Sequence, residues 1–436
     1  MNYPNYLKTL LLQSVDELSS SPQDFAVDPT RDFTRNRKLN FKDTMLMMLT
    51  MTDDSIQEEL YTFFGKNGNA PTTTAFCKQR QKLSDKAFPT LFRLFNDKLP
   101  VSLYKGKYRL MACDGSNAEI FYNPNDPSTF FNSTRVSGRG INIIHINAMY
   151  SILDKRVEDL IVQPGHQMNE PAAFCSMVDN AECSGPTIYI GDRNYASFNN
   201  FAHVIENGQY FVLRAKDTLL KSILGRSLEG LCEMDRHIDL ILSRSNAVKN
   251  WTDPAPGTRY KKLSFGSPFD YINENHPSYR MSLRVIRFEI QDGAFETIIT
   301  NLPDHEFDFE DFRQLYSLRW NQETAFRDLK YRLCLTMFHS KKYRHIVHEI
   351  WARAILYNFS TAIIRSVSIE KKDTVHQYQV NYSEAFKTCR DFLRSCITAP
   401  IMDVVGLIAR HTEAIRPGRS FARQHRDRHP FSFWYR

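Results

Sequence analysis

Residues Phe312 to Leu333 read FRQLYSLRWNQETAFRDLKYRL, and how this stretch is understood governs the rest of the chain. It contains no Gly or Pro and is built mostly from good helix formers. Asp304, Asp308, Glu310 and Asp311 precede it, where negative charge suits a helix N-terminus. Tyr316, Arg319, Glu323 and Lys330 stand at offsets 0, 3, 7 and 14. At roughly 100° per residue these fall within an arc of about 60°. Leu315, Leu318, Ala325, Leu329 and Leu333 share a neighbouring arc, which gives the helix an apolar face to bury. The spacing predicts an anchored helix that holds a carboxylate between an aromatic hydroxyl and two cations. Taken alone, the pattern is more often an ordinary amphipathic helix, with Arg327 as the i+4 partner of Glu323.

The whole chain has 436 residues, enough for about three domains. Hydrophobic residues make up 42% and charged residues 24%, so a sizeable core is available. The net charge of +7 is clustered. Residues 410–436 carry seven Arg against Glu413 and Asp427. Residues 31–42 carry five cations against Asp32, and residues 78–93 carry five against Asp85. Separate basic clusters of this kind point to binding of a polyanion at several places. The eight Cys form no C-x-x-C pattern, which excludes the common zinc spacings and fits reduced thiols in a reducing compartment. The N-terminus lacks the pattern of a leader peptide. Apolar runs are interrupted before a spanning length, for example by Arg353 and Arg365, so no membrane segment is expected.

Residues 1–100 read as a helical DNA-binding domain. An apolar helical pattern covers Phe41 to Phe64 and stops at the Gly65–Asn69 break. A second helix, TTTAFCKQRQKL, opens with threonines as caps and carries Lys78, Arg80 and Lys82 as candidate DNA contacts. A third follows in DKAFPTLFRLFNDKL, so the arrangement resembles a helix-turn-helix, though plain helical packing gives the same pattern. From Tyr108 the texture changes to strands at 108–113, 141–150, 156–162, 187–190 and 210–215, with helices at 169–180 and 198–206. Residues 101–216 therefore read as the first part of a mixed α/β core. Residues 217–300 form a β-rich insertion, with HIDLILSR and YRMSLRVIRFEI as strands. Residues 301–367 return to the core with the Glu323 helix, and 368–436 form a C-terminal helical region with a basic tail. Helices are expected at 347–367, 383–397 and 402–415.

Asp114 closes the first strand in MACDGS, Asp192 lies just past the fourth in YIGDRNY, and Glu323 is on the helix. Strand ends and a helix laid on the sheet can bring three such residues together. Crowded carboxylates repel unless a cation holds them. Hard divalent ions prefer oxygen ligands, and two ions about 3.5–4 Å apart can stabilise both the attacking and leaving oxygens of a phosphodiester. Singly, each Asp is also an ordinary turn residue.

With these residues in view, the chain resembles the DDE transposases of bacterial insertion sequences, in the branch carrying the Tyr-x2-Arg-x3-Glu-x6-Lys signature (Tn-five-like). Tyr316, Arg319, Glu323 and Lys330 meet every spacing of that signature, and Asp114 and Asp192 match the two aspartates. The resemblance implies an α/β fold: a ribonuclease H-like mixed sheet with a β-rich insertion, flanked by helical N- and C-terminal regions. It implies catalysis at Asp114, Asp192 and Glu323 through two Mg²⁺ ions, with Mn²⁺ able to substitute, and contact of Tyr316, Arg319 and Lys330 with double-stranded DNA. It further implies cut-and-paste cleavage at transposon ends, strand transfer into target DNA, a homodimer on DNA and a cytoplasmic, nucleoid-associated location. Apolar faces at 383–415, with Phe386, Phe392, Leu393 and Ile397 on one helix and Val404, Val405, Leu407 and Ile408 on another, are candidates for the dimer surface. The competing readings are a nuclease of the same fold without strand transfer and a DNA-binding relative without catalysis.

Overall fold

A computed structural model describes residues 2–35, 37–66, 68, 70–132, 140–182, 185–225, 233–246, 257–291, 294–318, 337–369, 376–395 and 402–415. The strand expected at 108–113 is longer than the sequence implies: β1 spans Arg109–Ile120. The Asp114-Gly115-Ser116 run looks like a turn, yet it lies inside an unbroken antiparallel ladder with β3 (Ile141–Ser151), from Met111↔Ser151 to Ile120↔Asn142. Ladder pairing overrides the local turn preference of these residues. On its other edge β1 runs parallel to β5 (Thr187–Gly191), which is itself parallel to β6 (Tyr210–Arg214). The short β2 (Phe130–Phe131) and β4 (Arg156–Pro164) both pair antiparallel with β3. The order β4-β3-β1-β5-β6, with β3 alone reversed, is the ribonuclease H-like arrangement.

The β-rich segment opens with α8 (Asp217–Leu224), after α6 (Glu170–Asp179) and α7 (Phe198–Glu206). It continues as β7 (Met234–Ser243), β8 (Arg259–Lys262), β9 (Ser278–Gln291) and β10 (Ala294–Thr300). β10 pairs with β6, β9 with β10, β7 with β9 and β8 with β7, so these strands extend the core sheet. The result is one ten-stranded mixed sheet.

Strand alternation divides the apolar residues between two faces. Leu110, Ala112, Ile188, Ile190, Val212, Ile286 and Ile298 join one core. Met111, Cys113, Tyr189, Phe211, Val285 and Ile299 join the other, which α6 and α7 cover with Phe174 and Phe201. The first face is covered by helices from both ends of the chain. These are α1 (Tyr3–Ser20), α2 (Phe41–Thr50), α3 (Ile56–Phe64), α4 (Thr73–Arg80), α5 (Ala87–Asn96), α9 (Phe309–Leu318) and α10 (Tyr343–Arg365). The apolar pattern at 41–64 makes two helices, because the Asp53-Asp54-Ser55 segment restarts the chain and the Ser55 side chain caps α3. Thr72 caps α4 in the same way.

The N-terminal helices share this core with α10. Asn358 of α10 donates to Asn96 of α5 at 2.9 Å and to the Val157 carbonyl of β4 at 2.7 Å, while its carbonyl accepts from Val157 N–H at 2.8 Å. Two C-terminal expectations are corrected. Residues 402–415 are not one helix: α12 (Val404–Arg410) gives way to β12 (Thr412–Ala414), which pairs with β11 (Tyr378–Val380). Of the apolar residues expected at a dimer surface, Phe386, Phe392 and Leu393 of α11 (Tyr382–Arg394) and Val404 and Ile408 of α12 are buried in the protein's own core, whereas Val405 and Leu407 are half-buried. Ile397 lies outside the described residues.

A charged staple fastens the second face. His203 of α7 places Nδ1 2.9 Å from Asp179 of α6 and Nε2 2.8 Å from Asp270 in the β8–β9 loop. Burial works to depress the His203 pKa, but the hydrogen bonds to Asp179 and Asp270 outweigh it and hold the pKa above the ordinary value. A folded-state pKa raised in this way gives stability that is present below the unfolded value and lost as pH rises through the folded one. The midpoint of thermal unfolding is therefore expected to fall as pH is raised from about 6 to about 9, and His203→Asn to flatten that dependence. Calorimetry of both proteins across the range checks it; equal slopes would rule out His203 as the source.

Candidate active site at the ends of two parallel strands

Asp114 stands opposite Ala148 in the β1–β3 ladder. Asp192 follows Gly191, the last residue of β5. The parallel pairing ends with Ala112 beside Ile190. Asp114 lies two residues beyond Ala112 on β1, and Asp192 lies two residues beyond Ile190, one residue past the end of β5. The parallel pairing of β1 and β5 ends here, at the carboxyl end of β5, and open α/β sheets form their binding crevice at the carboxyl ends of parallel strands. Both side chains are partly exposed. Asp114 accepts a hydrogen bond from the Gly115 N–H at 2.9 Å, and Asp192 accepts one from the Asn194 N–H at 2.7 Å.

The period-2 alternation carries Asp114 to the face of Ala112. α9 packs on that same face through Phe312, Leu315 and Tyr316. Tyr316 is only 8% exposed and belongs to the core. Arg319, Glu323 and Lys330 lie outside the described residues. Among the described residues no three His, Cys, Asp or Glu side chains are grouped to hold a metal ion. Asp114 and Asp192 supply two oxygen-donor carboxylates on adjacent chains, a donor chemistry that suits a hard divalent cation.

The sequence reading missed a polar layer on the other side of β1. His145 of β3, 2% exposed, makes a 2.7 Å hydrogen bond with Asn117 through Nδ1 and places Nε2 3.2 Å from Glu170, at the start of α6. Both groups crowd Gly115: a Cβ there would meet His145 Nε2 and come within 2.6 Å of Glu170 Oε1. A Gly inside a strand marks such a close approach, so Gly115 was the available signal. Next to it, burial pushes the Cys113 thiol and the Tyr195 phenol up, so both stay protonated at neutral pH. Asp159 of β4 is pushed up to about 6, also by burial.

The three basic candidates of α4 and its exit differ in setting. Lys78 is exposed. Arg80 is 5% exposed, with Nη1 3.4 Å from Glu349 and Nη2 donating to the His339 carbonyl at 3.1 Å. Lys82 is half-buried, 3.9 Å from Asp32.

A family profile described as the transposase DDE domain matches residues 105–359, more than half of the chain. No curated protein sequence matches. Among solved structures, the chain is similar to one titled as a cryo-EM structure of piggyBac transposase in a synaptic complex with hairpin DNA. That similarity has 10% identity and a TM-score of 0.42, covering 96% of this chain and 87% of the other.

Gly115→Ala is expected to destabilise the protein by about 1–3 kcal/mol, because a methyl group there displaces His145 and Glu170 from beneath Asp114. Denaturant unfolding of the variant measures it. A cost near zero would mean that His145 and Glu170 can shift freely.

Proposed function

The chain belongs to the transposase DDE domain family, and from that premise we propose that it cleaves DNA at transposon ends and transfers the freed strands into a target by a cut-and-paste route. The observation that supports the reading is that Asp114 and Asp192 each lie two residues beyond Ala112 and Ile190, the last pair of the parallel β1–β5 ladder, beside the sheet face that α9 covers. Asp114, Asp192 and Glu323 would hold two Mg²⁺ ions. When bound, these supply Lewis-acid stabilisation of the charge that develops on the attacking and leaving oxygens.

The chain's own groups do the rest. Asp114, held in the β1–β3 ladder, and Asp192, directly after β5, would leave little reorganisation for the reaction step. Arg319 and Lys330 would position the DNA backbone, Arg as a bidentate fork and Lys as a point charge. Lys78, exposed on α4, would contact DNA, whereas Arg80 is held by Glu349 and the His339 carbonyl and Lys82 reaches DNA only if Asp32 releases it. Recognition of end DNA is assigned to residues 1–100. Because those helices share a core with α10, it is tested by surface substitution such as Lys78→Ala and not by deletion. The assembly proposed on DNA is a homodimer, formed through a surface other than the buried faces of α11 and α12.

Asp114→Asn, Asp192→Asn and Glu323→Gln should each lower Mg²⁺-dependent cleavage of a plasmid bearing this gene with its flanking DNA by about 10³-fold or more, equivalent to ~4 kcal/mol. Binding to the same DNA in a gel-shift assay should be retained. Near wild-type cutting by any one variant would remove that residue from the site.

A further inference from the structure

A cavity of about 460 Å³ lies between α4 and the start of α10, lined by Thr73, Arg80, Ser340, Lys341, Lys342 and His345 among others. No carboxylate lines it among the described residues. The first N–H groups of a helix have no intrahelical acceptor and favour negative charge. Here Lys342 is the N-cap residue, its side chain makes no capping hydrogen bond, and the first turn holds no acid. α10 is thus a 23-residue helix whose N-terminus opens on a basic cavity.

Arg80 gives an independent signal. It is 95% buried, and its Nε has no hydrogen-bond partner among the described residues. Behind it Glu349 faces both Arg80 at 3.4 Å and Arg353 at 3.9 Å, so one carboxylate is set against two guanidiniums. The excess positive charge is felt by His345. Burial, then Arg80, Lys342 and Arg344, lower its pKa to about 4, which keeps it neutral. Lys341 reaches sideways, with Nζ 4.0 Å from the centroid of the Phe121 ring. Phe121 directly follows β1, the strand that carries Asp114. At about 3.3 Å per residue that strand places Phe121 roughly 23 Å from Asp114. A distance of ~23 Å corresponds to about seven base pairs of duplex at ~3.4 Å each.

We propose that the cavity between α4 and the N-terminus of α10 is a phosphate site, and that it grips the backbone of duplex DNA about seven base pairs from the bond cut at Asp114 and Asp192. The inference rests on the transposase reading for its ligand and adds a site that the catalytic residues do not define. Lys341 and Lys342 supply mobile charge at the mouth, the helix N-terminus supplies directed N–H groups, and Arg80 supplies a fixed cation at the wall. The site also couples binding to fold, because its two sides are α4 from the N-terminal region and α10 from the end of the core.

The test uses a fluorescein-labelled duplex of about 30 base pairs with random sequence, followed by fluorescence anisotropy across a KCl series. Lys341→Ala/Lys342→Ala is expected to weaken binding about tenfold and to reduce the log–log salt slope by between about one and two. Lys341→Arg/Lys342→Arg should retain the wild-type slope. Both lysines are exposed, so unfolding temperatures should be unchanged, and melting curves verify that. A double-alanine variant with the wild-type slope would overturn the proposal. Inorganic phosphate provides the second arm: in the wild type it should compete with the duplex, and in the double-alanine variant it should compete less. If phosphate stabilises the wild type against heat while the duplex slope is untouched by the substitutions, the cavity takes free phosphate and the DNA assignment fails. The two inferences fail separately: a wild-type slope in the double-alanine variant overturns the phosphate site without touching Asp114 and Asp192, and near wild-type cutting by the Asp114, Asp192 or Glu323 variants overturns the catalytic assignment without touching the slope.

Discussion

The structure depends on the two-sided pairing of β1. One edge is locked antiparallel to β3 over the whole strand and the other is locked parallel to β5. A one-residue slip on either edge would send Ala112 and Leu110 to the wrong core and Met111 and Cys113 to the other. Burial of both faces therefore fixes the register, and the register fixes which side Asp114 occupies. The catalytic geometry proposed for this chain is a by-product of sheet packing that could not shift without unfolding the core. Gly115 is the local cost of this arrangement. It gives up strand stability so that His145 and Glu170 can approach β1 from behind.

The helical side is organised around α10, which is buried along most of its length. Polar groups inside such a helix need partners. Asn358 finds them in α5 and β4, Glu349 in Arg80 and Arg353, and Arg365 in Asp154. Residues more than 250 positions apart are thereby joined, as Arg80 is to Glu349. This explains why the N-terminal helices are not an appendage, although their sequence reads as a separate unit. A polyanion bound by α4 would act on an element whose interior charges are shared with the core.

The fold was legible where local pattern and tertiary demand agreed. The strands at 141–150 and 187–190, the threonine caps before α4 and the helix at 169–180 appear as β3, β5, α4 and α6. It was misread where they conflict. Asp-Gly-Ser at 114–116 carries turn chemistry, but strand pairing on β3 overrode it. The stretch at 402–415 has helical content, but β11 offered Thr412 a ladder partner. The basic run Lys78, Arg80 and Lys82 reads as three candidate DNA contacts, yet burial separates it into an exposed lysine, a core guanidinium and a half-buried ion-pair partner.

The sequence by itself determined the chemistry available to this protein: two aspartates in strand-end contexts, the Tyr316, Arg319, Glu323 and Lys330 spacing, and an excess of clustered cations. Those are properties of residue type and interval, and they survive without coordinates. Only the tertiary structure decided which residues meet. That β1 runs beside β5 just before Asp114 and Asp192, that Gly115 lies against His145 and Glu170, and that α4 and α10 enclose a basic cavity depend on contacts between distant parts of the chain. Periodicity reports which side of an element is apolar. It carries no information about the partner that covers it, and the partner sets every distance in the site.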